Sequence, residues 1–304
     1  MKTVQDMTKE YRSSIGVKFA LSGGLGLLNT TFIHTPASAY VNEFLNRMMN
    51  KDQPHFKETP WTKVRIFNGL PAHNMATITM VGCSITTNDY ICKRLTLNGY
   101  QLNYQDKYFI SILSGAFAGI ASPIEAVAQA QQRQSVHTPL TTMQVVKSIY
   151  KNNGITAFSR GMAATVGRSA GFTSGYLGLM PLIVDTLREQ MGDTPLVYLI
   201  AGVLSGSIVG TITAPLNTLQ FKRKNLIDIK SQPPGYREMI KTTIEEHKAS
   251  SRPLRNTVLS LCGNTPALAT RILSTSAQFT FLYAGNREMQ KLLNEIENNN
   301  FRIS

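Results

Sequence analysis

Charged residues are spread unevenly along this 304-residue chain, and the gaps between them predict its elements. Six stretches contain no Asp, Glu, Lys or Arg: residues 19–42, 66–88, 108–124, 169–184, 195–221 and 272–286. Most approach the ~20 residues that a helix needs to cross a hydrocarbon core. The clearest is 195–221, PLVYLIAGVLSGSIVGTITAPLNTLQF. The others are rich in Gly, Ser and Thr, which hydrogen-bond within or between helices and so suit a bundle that packs against itself. The pattern predicts an all-α membrane protein with six spanning helices. The competing reading, a soluble all-α protein, would have to bury all six inside one core.

The polar segments between these spans carry the charge asymmetrically. Residues 43–65, 125–168 and 222–255 have net charges of +2, +4 and +5, whereas the whole chain is +13. Alternate loops of a six-span protein lie on one side, so nearly all of the excess positive charge falls on one face. That is the positive-inside pattern, and it suits an anionic lipid surface. No basic motif interleaved with aromatic residues accompanies the charge, which argues against a nucleic-acid partner. The first eighteen residues, MKTVQDMTKEYRSSIGVK, show neither the apolar core of a signal peptide nor the acid-free composition of a transit peptide. Cys83, Cys92 and Cys262 are too few for a disulfide framework and fit no zinc spacing. His34, His55, His73, His137 and His247 form no metal motif either. No nucleophile–base arrangement, Walker loop or dinucleotide fingerprint is present, so neither enzyme activity nor a cofactor is expected.

The spans pair into three units of roughly 100 residues, 18–104, 106–193 and 195–291, flanked by polar termini 1–17 and 292–304. The first span of each unit closes on a proline in a similar setting: HTPASAYVNEF around Pro36, ASPIEAVAQAQ around Pro123 and TAPLNTLQFKR around Pro215. A proline inside a helix removes a backbone hydrogen bond and bends it, so three matched prolines predict three helix ends swung toward one axis. Small residues recur before them, as Gly202, Gly206 and Gly210, as Gly115 and Gly119, and as Gly23, Gly24 and Gly26, where they permit close helix approach.

In these features the chain resembles the mitochondrial carrier family over nearly its whole length. That family has three repeats, each with a Pro-x-acid-x-x-base motif, a short amphipathic helix, and a glycine-containing turn into its second span. The second repeat is most similar. It starts its motif with Pro123-Ile124-Glu125, continues with TMQVVKSIYKNN at 142–153, and runs through Gly154 to Phe158, Arg160 and Gly161. The periodicity predicts a short helix with Met143, Val146 and Ile149 or Tyr150 on one face. The third repeat offers Pro215, Asn217 and Gln220, and the first keeps Pro36 and Phe67-Asn68-Gly69.

The resemblance implies a single domain: six helices around a central cavity, with short helices on the matrix side and a gate at each end. In the family, the acids and bases of the proline motifs form a ring of salt bridges that closes the matrix end. Here the acid positions read Ser38, Glu125 and Asn217, and the base positions Val41, Ala128 and Gln220, so only Glu125 is charged. Glu125 is expected to bond Gln220. At the opposite gate, Asp185 and Arg188 match, while Asp89, with Lys93 nearby, and Arg287 match in part. An ordinary interfacial charge is the competing explanation for each.

By family register, substrate contacts lie seven and eight residues beyond the turn glycine. That selects Ala76 and Thr77 after Gly69, and Arg168 and Ser169 after Gly161. Arg271 falls near the same level, twelve residues before Tyr283. Thr31 replaces a lysine that some nucleotide carriers have. An arginine inside a span costs several kcal/mol unless it faces a wet cavity, and its donors match carboxylate or phosphate. Arg168 has a competing assignment, as a ligand of lipid phosphate at the helix end.

The resemblance implies a transporter that exchanges small anions across the mitochondrial inner membrane by alternating access. Nucleotides such as ATP and ADP, carboxylates and phosphate are all open. The other reading of the eroded gates is a carrier fold used as a receptor, adaptor or insertion factor. Expected partners are the anion and membrane lipid, with cardiolipin among the candidates, and the chain is expected to act as a monomer. The tail LLNEIENNNFRIS bears a loose likeness to bacterial secretion signals, which leaves open a pathogen-encoded protein sent to host mitochondria. The plainer reading is a frayed polar terminus.

Overall fold

The computed structural model describes residues 4–49, 66–67, 69–121, 124–125, 127–128, 141–225 and 234–303. These residues are helical nearly throughout and include no strand. The elements are α1 (Val4–Asn29), α2 (Thr35–Met49), α3 (Leu70–Leu97), α4 (Tyr104–Ala118), α5 (Thr142–Asn153), α6 (Met162–Thr173), α7 (Met180–Met191), α8 (Pro195–Asn225), α9 (Tyr236–His247), α10 (Pro253–Cys262) and α11 (Asn264–Ile303). Wide π-turns, Thr30–His34 and Ser174–Leu179, join α1 to α2 and α6 to α7 without a break.

Local chemistry sets several boundaries. Asn103 and Asp106 cap α4 reciprocally, and Thr141 and Gln144 do the same for α5. Gly69 and Gly161 precede α3 and α6 with φ of 79° and 83°, in the left-handed region that glycine tolerates. Gly263 makes the same turn before α11, with φ of 85°. Sequence reading left the third repeat without a complete turn motif, and this glycine supplies it.

The long helices pack in ring order. The α1–α2 path lies on α3, α3 on α4, α4 on α6, α6–α7 on α8, α8 on α11, and α11 returns to α1–α2. Small residues sit at these contacts. A methyl group on Gly202 or Gly206 would meet Thr280 or Ser276 of α11, one on Gly115 would meet Ser169 and Thr173, and one on Gly26 would meet Val81. The outer wall is apolar: Phe32, Phe109, Leu113, Phe117, Ile212 and Leu273 are each more than half exposed. Inside the ring, Asn29, Thr30, Ser84, Thr173 and Gln278 are buried. Apolar side chains outside and polar ones inside reverse the soluble arrangement.

Several expectations change. Among the described helices, only Pro195–Arg223 is long and apolar enough to cross a membrane by itself, with a mean hydropathy of 1.9. The Gly-, Ser- and Thr-rich composition that lets the others line a polar interior also lowers their hydropathy. Pro36 and Pro215 lie within continuous helical paths instead of ending them, and Pro123 falls outside the described residues. α5 spans the expected residues, but its buried side chains are Val145 and Ile149, while Met143 and Tyr150 point outward. The i, i+4 pair packs on Ala157, Val127, Ala128 and Ala72, which turns the buried face away from Met143. The backbone of α11 continues helically to Ile303 through the tail expected to fray.

Candidate functional site

The ring surrounds a cavity with about 1130 Å³ of space not filled by atoms, part of it open to solvent. Every wall contributes: Asn29, His34, Ser38 and Val41 from the first path, His73, Ala76 and Thr77 from α3, Glu125, Arg168 and Ser169 beside α4 and α6, Asn217 and Phe221 from α8, and Arg271 and Gln278 from α11. All five expected substrate residues therefore line one space. The register explains why, since Arg271 is the eighth residue after Gly263, as Ser169 is after Gly161 and Thr77 after Gly69.

Both arginines are engaged. Arg168 places Nη2 2.7 Å from Glu125 Oε1, and its Nη1 donates to Asn217 Oδ1 at 3.4 Å. Arg271, 8% exposed, donates from Nη1 to the Ala214 carbonyl at 2.9 Å, beside Pro215. The expected Glu125–Gln220 bond is not made. A carboxylate as buried as Glu125, at 2% exposure, gains more from a cation than from an amide. Gln220 is itself buried with neither amide atom hydrogen-bonded among the described residues. Two residues assigned to a gate, Glu125 and Asn217, thus share a network with Arg168, assigned to substrate.

The cavity lies in the half of the ring formed by α2 and the N-terminal parts of α3 and α6. The other half is packed solid by Ile85, Tyr176, Met180, Val184, Phe279 and Leu282. Tyr176 and Ser84 hydrogen-bond at 2.7 Å where this core meets the cavity. At the cavity's opposite end, Val41, Leu45 and Phe221 form a small apolar cluster, with Val41 at a position where the resemblance implies a base.

Beyond the solid half, the residues assigned to the second gate form ionic clusters. Lys18 Nζ lies 2.5 Å from Asp89 Oδ2, and Lys93 lies 3.8 Å from the same oxygen. Asp185 accepts from the Tyr104 hydroxyl at 3.0 Å and lies 3.7 Å from Arg188. Arg188 and Arg287 converge on Asp193, at 3.2 and 2.6 Å, with the Tyr198 hydroxyl between them. The Arg287 hydrogen bond, aided by the charge of Arg188, holds the Asp193 carboxyl below the usual carboxylate range. The bond to Asp185 raises the Tyr104 phenol. Lys18, Asp193 and Tyr198 escaped the sequence reading. Lys18 had a readable signal, because it is the last charge before the first span as Asp89 is the first after the second.

The described helices form a ring that is apolar outside and encloses an arginine-bearing cavity. Residues 100–191 match the family described as mitochondrial carrier protein, which the chain resembles over that segment. It is 28% identical over 114 residues to the probable mitochondrial 2-oxodicarboxylate carrier of Dictyostelium discoideum, a match covering 36% of this chain and 37% of that protein. It is 26% identical over 148 residues to mitochondrial substrate carrier family protein A of the same organism, covering 45% of each. To the mitochondrial RNA-splicing protein MRS4 of Saccharomyces cerevisiae it is 27% identical over 113 residues, covering 36% of each. The chain thus spans less than half the length of these relatives.

Proposed function

We propose that this protein is a multi-pass transporter of the mitochondrial inner membrane that moves a small anion by alternating access. In this reading, six spans in three repeats, 18–104, 106–193 and 195–291, form the ring. The observation that carries it is the convergence of Arg168 and Arg271, on helices that follow equivalent glycine turns, on one cavity. The apolar outer wall supports the membrane setting. Glu125 serves as the resting counter-ion of Arg168, and an incoming carboxylate or phosphate takes its place. Among the described residues Arg271 spends one donor on the Ala214 carbonyl, so its remaining donors can meet the far end of a dianion. The relative named as a 2-oxodicarboxylate carrier favours a dicarboxylate over a nucleotide.

The test is a thermal-stability scan of the purified protein against ATP, ADP, phosphate, malate, citrate, 2-oxoglutarate and aspartate, followed by uptake into proteoliposomes. A ligand at a hundred times its dissociation constant stabilises by about 2.7 kcal/mol. A dicarboxylate is expected to stabilise the protein and to be taken up, with uptake lost in Arg168→Ala and Arg271→Ala. No stabilisation and no uptake across the panel would transfer the assignment to a receptor or adaptor. The missing ionic ring, with apolar Val41 at one of its base positions, favours that second reading.

A further inference from the structure

Fifteen residues, 248–262, separate α9 from the turn glycine Gly263, against the seven, 154–160, that separate α5 from Gly161. Most of the extra length is α10, Pro253–Cys262. Ten residues are too few to hold a helix in water by propensity alone, so α10 needs an apolar face set against something. Its one buried residue is Cys262. Leu254 and Val258 instead point outward, one turn apart on one face, at 79% and 50% exposure. Arg252 and Arg255, close to Leu254, are exposed as well. The acids of α9 near this helix face other cations: Glu245 lies 3.8 Å from Lys241, and Glu246 is within electrostatic range of Lys222. The helix stands at the cavity-end rim of the ring, because Gly263 lies against Leu45 of the apolar cluster there. Along α11, Leu273 of the outer wall is ten residues beyond Gly263. That is about 15 Å of helix, roughly half the thickness of a hydrocarbon core.

We propose that α10 is an interfacial anchor that docks on an anionic lipid surface, with Leu254 and Val258 at the acyl boundary and Arg252 and Arg255 among the headgroup phosphates. This rests on the membrane setting of the transport reading. A short helix with apolar side chains on one face and cations beside them suits that boundary: the apolar groups leave water, and each cation is drawn to negative lipid. The long stem of arginine lets its guanidinium reach a phosphate while Leu254 sinks below it. A protein partner is the weaker occupant, because the apolar outer wall already commits this end of the ring to the edge of a bilayer.

The experiment uses the full chain in proteoliposomes of equal parts phosphatidylcholine and phosphatidylglycerol, with one lipid or the other brominated high on its acyl chains. The single tryptophan is removed by Trp61→Phe, and Leu254→Trp or Val258→Trp supplies the fluorophore. Leu273→Trp, on the outer wall, gives the reading for full lipid contact. Both α10 reporters are expected to be shielded from aqueous iodide. Brominated phosphatidylglycerol is expected to quench them at least about twofold more than brominated phosphatidylcholine. Arg252→Gln together with Arg255→Gln should erase that preference. Iodide quenching of both reporters, or shielding from iodide and bromine alike because protein covers the face, would overturn the anchor. So would equal quenching by the two lipids, or a preference that survives the loss of both arginines. Release of the wild type by alkaline carbonate would overturn the membrane setting, and the anchor with it.

Discussion

Lys18 illustrates how much one charge depends on its partner. It is 4% exposed and held by Asp89 across two helices, so Lys18→Met leaves a carboxylate without its nearest cation. The expected loss is about 2–3 kcal/mol, whereas the double variant Lys18→Met/Asp89→Leu should regain most of it. Thermal unfolding of the three proteins checks this. Glu125→Gln should lower stability by a similar amount, about 2–3 kcal/mol, because Arg168 loses its counter-ion. The same change should tighten anion binding in the cavity, since the competing carboxylate is gone, and a thermal-shift titration would read both effects. Asp193 contributes a pH dependence of known sign. Its carboxyl is depressed in the folded protein, so its stabilisation is present above the ordinary aspartate value near 3.8 and disappears as pH falls through the lower folded value. Melting curves of wild type and Asp193→Asn should differ at neutral pH and converge in strong acid.

At the scale of elements, helix contacts rest on glycines that were readable as a spacing before they were seen as a contact. Gly202 and Gly206 face Thr280 and Ser276 with no room for a side chain. Gly206→Val should therefore cost about 1–3 kcal/mol by forcing α8 and α11 apart, while Val203→Ala, on the exposed face of α8, should cost far less. Comparing the two in one unfolding assay separates close packing from general helix propensity. α5 shows the limit of periodicity. Its ends follow from the Thr141–Gln144 box and Gly154, both local signals. Its buried face was set instead by Ala72, Val127, Ala128 and Ala157, which come from elsewhere in the chain.

Over its described residues the molecule has an apolar wall and a polar interior. In this arrangement the protein should remain in the membrane pellet after alkaline carbonate extraction, and release into the supernatant would refute the spanning topology. The cavity occupies the half of the ring formed by α2 and the N-terminal parts of α3 and α6, and the other half is closed by the core around Tyr176 and Phe279 and by the Lys18–Asp89 pair. Val41, at a base position that the resemblance assigns to one gate, lies at the cavity's end, and the charges it assigns to the other gate lie at the closed end. That match between sequence loss and cavity position could not be found in either alone.

The chain by itself determined the helical class, the positions of the six charge-free stretches and the short helix α5, and family register added the level at which Arg168 and Arg271 stand. These follow from local periodicity, from single residues such as the turn glycines, and from charge counts that do not depend on packing. Tertiary structure alone decided that Arg168 would pair with Glu125, that Arg287 and Arg188 would share Asp193, and that His34 would meet His73. Each of these joins residues from separate helices. The partner of a buried charge is chosen by which opposite charge the ring brings within reach, a distance that sequence spacing does not encode.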